Sequence, residues 1–384
     1  MASEVTLGSG SLKLSTVVDV FDDGGLFRAL TNRDVMAFSR QGGQPGFSST
    51  KAILRSTGIR ERRVLQSDVT IVDLAEVLCE KLESATGMGV LDFQHVVLCH
   101  SHTDPKRCED VAEKVERRLN LPQGVIIPRN FGCSGYMKLL AEGRDSLMGL
   151  SAGGKVALLS VETPQTWHDS SDRLFCGIVS AGATASVLEL EHGLPIAQIH
   201  SGDYPIPDDR RLNPDPLFVR DHCDGFDFDG QACCRTVMRM NAEPVFINGI
   251  ELMLEQLQSA LEFIDADDPV QRIVVIPHQP SGKLLKALVA AAKAKYDHIE
   301  FVNNLEWYGN TISSTVPTIL ARLPEVFDRN QLDPLQEGDH VILLAAGICM
   351  SEIGGHMSAG HACLRWAPDA LNVVRPREAV GNAG

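Results

Sequence analysis

Two kinds of segment alternate along the chain, each with its own period. The runs "HVVLCHSH" (95–102), "GVIIP" (124–128), "KVALLSVE" (155–162), "ASVLELE" (185–191), "RIVVIPH" (272–278) and "HVILLAAG" (340–347) are short, nearly unbroken and rich in Val, Ile and Leu. Such runs read as strands covered on both faces. Between them, "SDVTIVDLAEVLCEKLESA" (67–85), "CEDVAEKVERRLN" (108–120), "FINGIELMLEQLQSALEFI" (246–264) and "GKLLKALVAAAKAKY" (282–296) space their apolar residues three and four apart, which predicts amphipathic helices. Strand-like and helical segments in alternation predict an α/β fold. The stretch from Gly202 to Thr236 is dense in Asp, Pro and Gly and has little periodicity. It reads as an irregular connection, either a solvated surface segment or a functional loop.

Composition narrows this picture. At 384 residues and 44% hydrophobic content the chain can fill a large core, as two domains or one two-halved unit. A net charge of −15 with dispersed Lys and Arg argues against nucleic-acid binding, which needs a clustered basic face. The N-terminal "MASEVTLGSGSLKLS" has no basic start followed by an apolar segment, and no run approaches a membrane span. The expectation is a cytoplasmic protein without a membrane partner. Ten cysteines with no repeated spacing fit reduced thiols better than a disulfide framework.

One of those cysteines stands apart. In "RNFGCSGYMKLL", Cys133 lies between a predicted strand and a predicted helix, flanked closely by Gly132 and Gly135. It can be a small packed hydrophobe, but a helix N-terminus also stabilises thiolate, which makes it a candidate nucleophile. Two other turns repeat the arrangement. His278 leaves the end of "RIVVIPH" just before a helix, and Asn310 sits in a Gly-Asn-Thr turn ahead of "ISSTVPTIL". Ligands in α/β sheets gather outside the carboxyl ends of strands, so the three could converge although 145 and 32 positions separate them. A thiol, an imidazole and an amide are a competent set for acyl transfer; singly, each also has an ordinary structural reading.

Other polar clusters carry less. Cys99, His100, His102 and Cys108 in "LCHSHTDPKRC" lack the second ligand pair a zinc site needs, and His100 and His102 read as strand-end polar residues near the rim of the active site. Cys223, Cys233 and Cys234 read as reduced packing thiols, and His356 and His361 as exposed loop histidines. No metal is expected. Lys283, Lys286, Lys293 and Lys295 form a basic strip on the helix after His278. That strip either keeps the helix soluble or meets an acidic partner.

The motifs "NFGCSGYMKLL", "PHQPSGKLLKAL" and "WYGNTISSTVPTIL" resemble the nucleophile, histidine and asparagine motifs of the ketoacyl synthase III family of condensing enzymes. "STGIRERRVL", "RMNAEPVFINGIELM" and "GDHVILLAAG" with "CLRW" resemble further family segments in the same order, so the similarity spans roughly residues 50 to 366. The resemblance implies a thiolase-like fold of two pseudo-repeated halves in five αβαβα layers, divided here as residues 1–192 and 193–384. It implies a homodimer without cofactor, and a thioester donor carried on coenzyme A or on an acyl carrier protein. Cys133 would accept the acyl group, and His278 and Asn310 would assist the second half-reaction. The backbone N–H groups of Cys133 and Ile348 would form the oxyanion hole, and Lys283 would lie near carrier docking. The expected reaction is decarboxylative condensation with a malonyl-type thioester. Transfer to oxygen or nitrogen is the alternative, and a silent partner subunit ranks below both. Three departures, Ser180 and Ala181 in "VSAGATA", Ile348 and Cys349 after "LAAG", and the added "SEIGGHMSAG", point toward a specialised-metabolite relative rather than an enzyme that starts fatty acid synthesis.

Overall fold

A computed structural model describes residues 12–148, 150, 153–211, 215–267 and 272–373. Its strands are β1 (Lys13–Asp19), β2 (Phe27–Thr31), β3 (Glu61–Leu65), β4 (His95–Cys99), β5 (Ile126–Arg129), β6 (Val156–Glu162), β7 (Gly182–Glu189) and β8 (Leu194–Pro205). They continue with β9 (Phe218–Phe226), β10 (Ala232–Met240), β11 (Ile273–Pro277), β12 (Glu300–Phe301), β13 (His340–Ile348), β14 (His356–Arg365) and β15 (Asn372–Val373). The main sheet runs β12-β11-β13-β14-β8-β1-β7-β6-β4-β5, with β15 beside β1.

That order is one pattern used twice. In β5-β4-β6-β7-β1 three parallel strands are followed by two antiparallel ones, and β12-β11-β13-β14-β8 repeats both the order and the directions. The two sets join in the sheet where Lys13 and Leu14 of β1 pair with Pro195 and Leu194 of β8.

Strand residues divide by the period-2 rule, with both faces covered. Val97, Cys99, Leu158, Val274, Ile276, Val341 and Leu343 face one shared core, which also holds Tyr136, Met137 and Leu140 of the helix Gly135–Met148 and Val316 and Ile319 of the helix Thr315–Ala321. Their neighbours point the other way. Val96, Leu98 and Leu159 pack on the helices Ile71–Thr86 and Lys106–Arg118, while Val275, Ile342 and Leu344 pack on Ala242–Asp267 and Gly282–Lys293. The layers are therefore helix, sheet, helix, sheet, helix, as in the thiolase fold. All seven residues of Thr315–Ala321 are buried, as a central layer requires.

The region 202–236 is more regular than its composition suggests. Gly202–Pro205 completes β8, and β9 and β10 form a two-stranded hairpin in unbroken register from Phe218↔Met240 to Phe226↔Ala232. Its turn is closed by Asp227, whose Oδ1 accepts from the N–H groups of Asp229 (2.9 Å) and Gln231 (2.8 Å). The segment after Cys349 also differs from expectation. His356 and His361 lie on β14, and His361 is fully buried between Gln256 (2.9 Å) and Gln198 (3.0 Å), because β14 sits inside the sheet. No helix among the described residues is long and apolar enough to cross a membrane.

Candidate active site

Cys133 and Asn310 occupy corresponding places in the two halves. Cys133 follows β5 in a tight turn, Gly132–Ser134, that runs directly into the helix Gly135–Met148. Asn310 follows β12 and the short helix Leu305–Tyr308, ahead of the turn Ile312–Ser314 and the helix Thr315–Ala321. Each is preceded by a glycine with positive φ, Gly132 at 75° and Gly309 at 67°, where a Cβ would be strained. The two turns pack against each other so closely that a Cβ on Gly135 would lie 2.7 Å from Ser313 Cβ.

Both side chains reach one small cavity, walled also by Ile348, Met350, Ile312 and Val179. Gly347 backs the nucleophile candidate directly, since a Cβ there would fall 2.4 Å from Cys133 Cβ. Burial pushes the Cys133 thiol up to about 12, while hydrogen bonds from the backbone of Ile348 and from its own backbone pull the other way. A lowered thiol pKa is expected from the helix N-terminus alone; here desolvation outweighs the bonds to the charged form. The same two backbone groups are those the family resemblance assigns to the oxyanion hole.

Asn310 is oriented by its neighbours. Its Oδ1 accepts from the Ile312 N–H (2.9 Å), and Nδ2 donates to Pro280 O over 3.4 Å, two residues past His278. Its backbone is clamped between Ile178 O (2.9 Å) and the Ser180 N–H (2.8 Å). Ser180 is thus a backbone holder for Asn310, and its hydroxyl also accepts from the Arg63 N–H at 2.8 Å. Ile312 has φ of 55°, rare for a β-branched residue and a sign of local strain at the site.

His278 stands just past β11, its N–H donating to Leu344 O at 2.6 Å. It is fully buried, neither ring nitrogen has a partner, and burial lowers its pKa to about 3, so the ring is neutral. It is not among the residues that line the cavity, and the Pro280 turn two residues on ties its segment to Asn310. Lys283 is exposed on the first turn of Gly282–Lys293, with Lys286 on the same helix. That helix start abuts the helix Thr50–Thr57, since a Cβ on Gly282 would lie 2.9 Å from Thr57 O.

Several residues at the site carry no signal in the sequence. Glu162 ends β6 beneath the two turns, fully buried, accepting from Ser101 N (3.0 Å) and Oγ (2.7 Å) and from the Ser313 hydroxyl. Burial raises its pKa to about 7 against those bonds. Trp167, His168 and Phe175 complete the cavity wall as a stack, with ring centroids 4.1 Å apart at each step. His100 and His102 lie past the end of β4, not on it. His100 Nδ1 bonds Val161 O at 2.9 Å, and the His102 ring is 6.5 Å from that of Trp167. No group of three or more His, Cys, Asp or Glu side chains among the described residues is placed to hold a metal.

Comparison with known proteins finds relatives of one kind. A family model described as 3-oxoacyl-[acyl-carrier-protein (ACP)] synthase III C terminal matches residues 270–358, the stretch holding His278, Asn310 and Ile348. The beta-ketoacyl-[acyl-carrier-protein] synthase III of Rhodospirillum centenum is 26% identical over 341 residues, covering 88% of this chain and 95% of that protein. That of Rhizobium johnstonii is 24% identical over 351 residues, covering 88% and 95%. Among solved structures, the 3-oxoacyl-[acyl-carrier-protein] synthase III of Aquifex aeolicus superposes with a TM-score of 0.66 at 21% identity over 93% of this chain and 100% of that one. The priming β-ketosynthase of the R1128 polyketide pathway gives 0.67 at 19% identity, over 95% and 100%.

Proposed function

We infer that this chain, which has the thiolase fold and is similar to ketoacyl synthase III condensing enzymes, carries out an acyl transfer that passes through a thioester on Cys133 and ends in decarboxylative condensation. The observation that carries this reading is the placement of Cys133 and Asn310 on one cavity, with the Ile348 backbone against the thiol. In the first half-reaction Cys133 Sγ attacks the thioester carbonyl, the carbon–sulfur bond to the donor breaks, and the donor thiol leaves with the cysteine proton. The oxyanion formed on the way is met by the N–H groups of Cys133 and Ile348; one such donor contributes roughly 3 kcal/mol to the barrier reduction.

In the second half-reaction a malonyl-type thioester loses carbon dioxide. The enolate so formed is stabilised by hydrogen bonds from neutral His278 and from Asn310 Nδ2, whose direction is set by the Ile312 N–H on Oδ1. The enolate carbon then bonds to the acyl carbonyl, the bond to Cys133 breaks, and the thiolate takes up a proton. A β-ketoacyl thioester results. The reading includes a homodimer in the cytoplasm, no cofactor, and a donor on coenzyme A or an acyl carrier protein. For a carrier, the docking face is Lys283 and Lys286 beside Lys51 and Arg55 of the adjoining helix, all exposed.

The three departures from the family pattern support a role in specialised metabolism. Ile348 lines the cavity, where its side chain reshapes the substrate space, and Ser180 holds the backbone of Asn310.

Intact-mass measurement after mixing with acyl thioesters tests the first half. A mass gain in wild type that is absent in Cys133→Ala is expected, and labelling of Cys133→Ala sinks the assignment. Adding a malonyl thioester to the acyl-enzyme should release carbon dioxide. If the label instead moves to an alcohol or amine with no carbon dioxide, the enzyme is an O- or N-acyltransferase. Light scattering after size exclusion reads the dimer.

A further inference from the structure

The cavity that holds Cys133 has a polar wall which neither half-reaction uses. His168 sits on it, 1% exposed, with its ring sandwiched between Trp167 and Phe175. The ring is held rigidly. Its backbone N–H donates to Pro164 O at 3.0 Å, and the strand β10 fixes the residue before it through the Met238 N–H to Trp167 O, 3.4 Å. Nδ1 of the imidazole is buried and has no hydrogen-bond partner among the described residues. The indole N–H of Trp167, on the same wall, is buried and unmatched too.

Everything else that surrounds the cavity beyond Cys133 and Asn310 is apolar: Phe175, Val179, Ile312, Ile348 and Met350. A plain alkyl chain there would leave these polar groups unsatisfied in a dry site, and a buried polar group without a partner is costly. A chain oxygen would meet them. A hydroxyl suits the pair best, because it can accept from an N–H and donate to a neutral imidazole nitrogen at once. Sites built to bond a substrate hydroxyl reject the analogue lacking it far more strongly than an apolar pocket rejects a change of one methylene.

We propose that His168, with Trp167 beside it, is a specificity residue that selects an acyl group carrying a hydroxyl or keto oxygen on its chain, over the plain aliphatic acyl group of the same length. This rests on the thioester reading of Cys133 and adds to it the class of acyl group.

The test compares butanoyl-coenzyme A with 3-hydroxybutanoyl- and 3-oxobutanoyl-coenzyme A, and the six-carbon set likewise, reading kcat/KM for mass gain on Cys133. Wild type is expected to favour an oxygenated donor over its plain counterpart at least tenfold. His168→Phe keeps the stack and removes the nitrogens; it should lower kcat/KM for the oxygenated donor at least tenfold and collapse the ratio. Trp167→Phe should narrow the ratio by a smaller factor, and serves if the first variant does not fold. Equal loading of plain and oxygenated donors by wild type overturns the proposal, as does a ratio that survives in both variants. If no donor of either kind loads Cys133, the thioester reading itself fails, which a preference for plain chains would leave standing.

Discussion

At Cys133 two influences oppose each other. The end of a helix and the backbone N–H of Ile348 favour thiolate, while enclosure by protein favours the thiol and lifts its pKa to about 12. The resting nucleophile is therefore a neutral thiol whose proton must leave during attack. Alkylation by iodoacetamide should then accelerate about tenfold per pH unit from 7 to 10 without levelling, whereas an ordinary cysteine levels near its pKa of about 8.5. A plateau below pH 8 would show a preformed thiolate. Close approach imposes a second condition. Gly347→Ala places a methyl 2.4 Å from Cys133 Cβ, so this variant should lose acyl loading by roughly 100-fold or more while keeping its fold by circular dichroism. Glu162 titrates in the opposite sense from most carboxyls. Its folded pKa of about 7 lies above its ordinary 4.5, so its contribution to stability is full below about pH 4.5 and is lost as pH rises to about 7. The loss amounts to roughly 3 kcal/mol. Glu162→Gln should raise the melting temperature relative to wild type at pH 8 and have little effect at pH 4.5; a constant difference across that range would refute the shift.

Among elements, the hairpin β9–β10 has the most consequence for the site. It lies against the segment 163–170 that supplies Trp167 and His168, where Arg235 donates to Gln165 O (2.7 Å) and Ser170 N–H to Phe226 O (2.9 Å), and against the turn after β4, where Thr103 Oγ1 donates to Thr236 O (3.1 Å). Arg239 fastens it with ion pairs to Asp169 (3.2 Å), Asp172 (2.9 Å) and Asp221 (3.4 Å). Removing that partly exposed clamp in Arg239→Ala should weaken hairpin docking by roughly 1–3 kcal/mol and speed proteolytic cutting between residues 218 and 240. Unchanged cutting would mean that packing alone holds it. The hairpin also shows what a sequence conceals. The runs that became β4, β6, β11 and β13 are legible because both faces of each strand are buried, which demands uninterrupted apolar residues. β9, "FVRDHCDGF", has one face in solvent and no sheet beyond its partner, so it reads as a polar stretch, and of the hairpin's two Asp-Gly dipeptides, Asp224-Gly225 and Asp229-Gly230, nothing local says that the second makes the turn. The site divides in the same way. Cys133 and Asn310 announce themselves by glycine turns that local geometry demands, whereas the place of His168 depends on a hairpin packed behind it from some 60 residues later.

For the whole molecule, the shared middle layer decides how the two repeats behave. The helices Gly135–Met148 and Thr315–Ala321 are covered by strands of both five-stranded sets, so neither half has a closed core without the other. A buried ion pair reinforces that dependence across the repeat. Arg322, just past Thr315–Ala321, donates from Nε and Nη2 to the two carboxylate oxygens of Asp19 on β1, at 2.6 and 2.7 Å, with both side chains under 10% exposed. The Asp19 carboxylate is almost wholly buried there, and truncating its partner leaves a buried charge uncompensated, at a cost of roughly 3–5 kcal/mol. Arg322→Met should therefore destabilise the entire protein in one step. Fluorescence of Trp167 in the first half and of Trp307 and Trp366 in the second, followed with circular dichroism during urea unfolding, should give coincident transitions in wild type and a single earlier one in the variant. If the variant splits into two transitions, with residues 1–192 and 193–384 melting apart, the halves are independent domains. A core divided at the β1–β8 junction would then have to replace the shared layer described here.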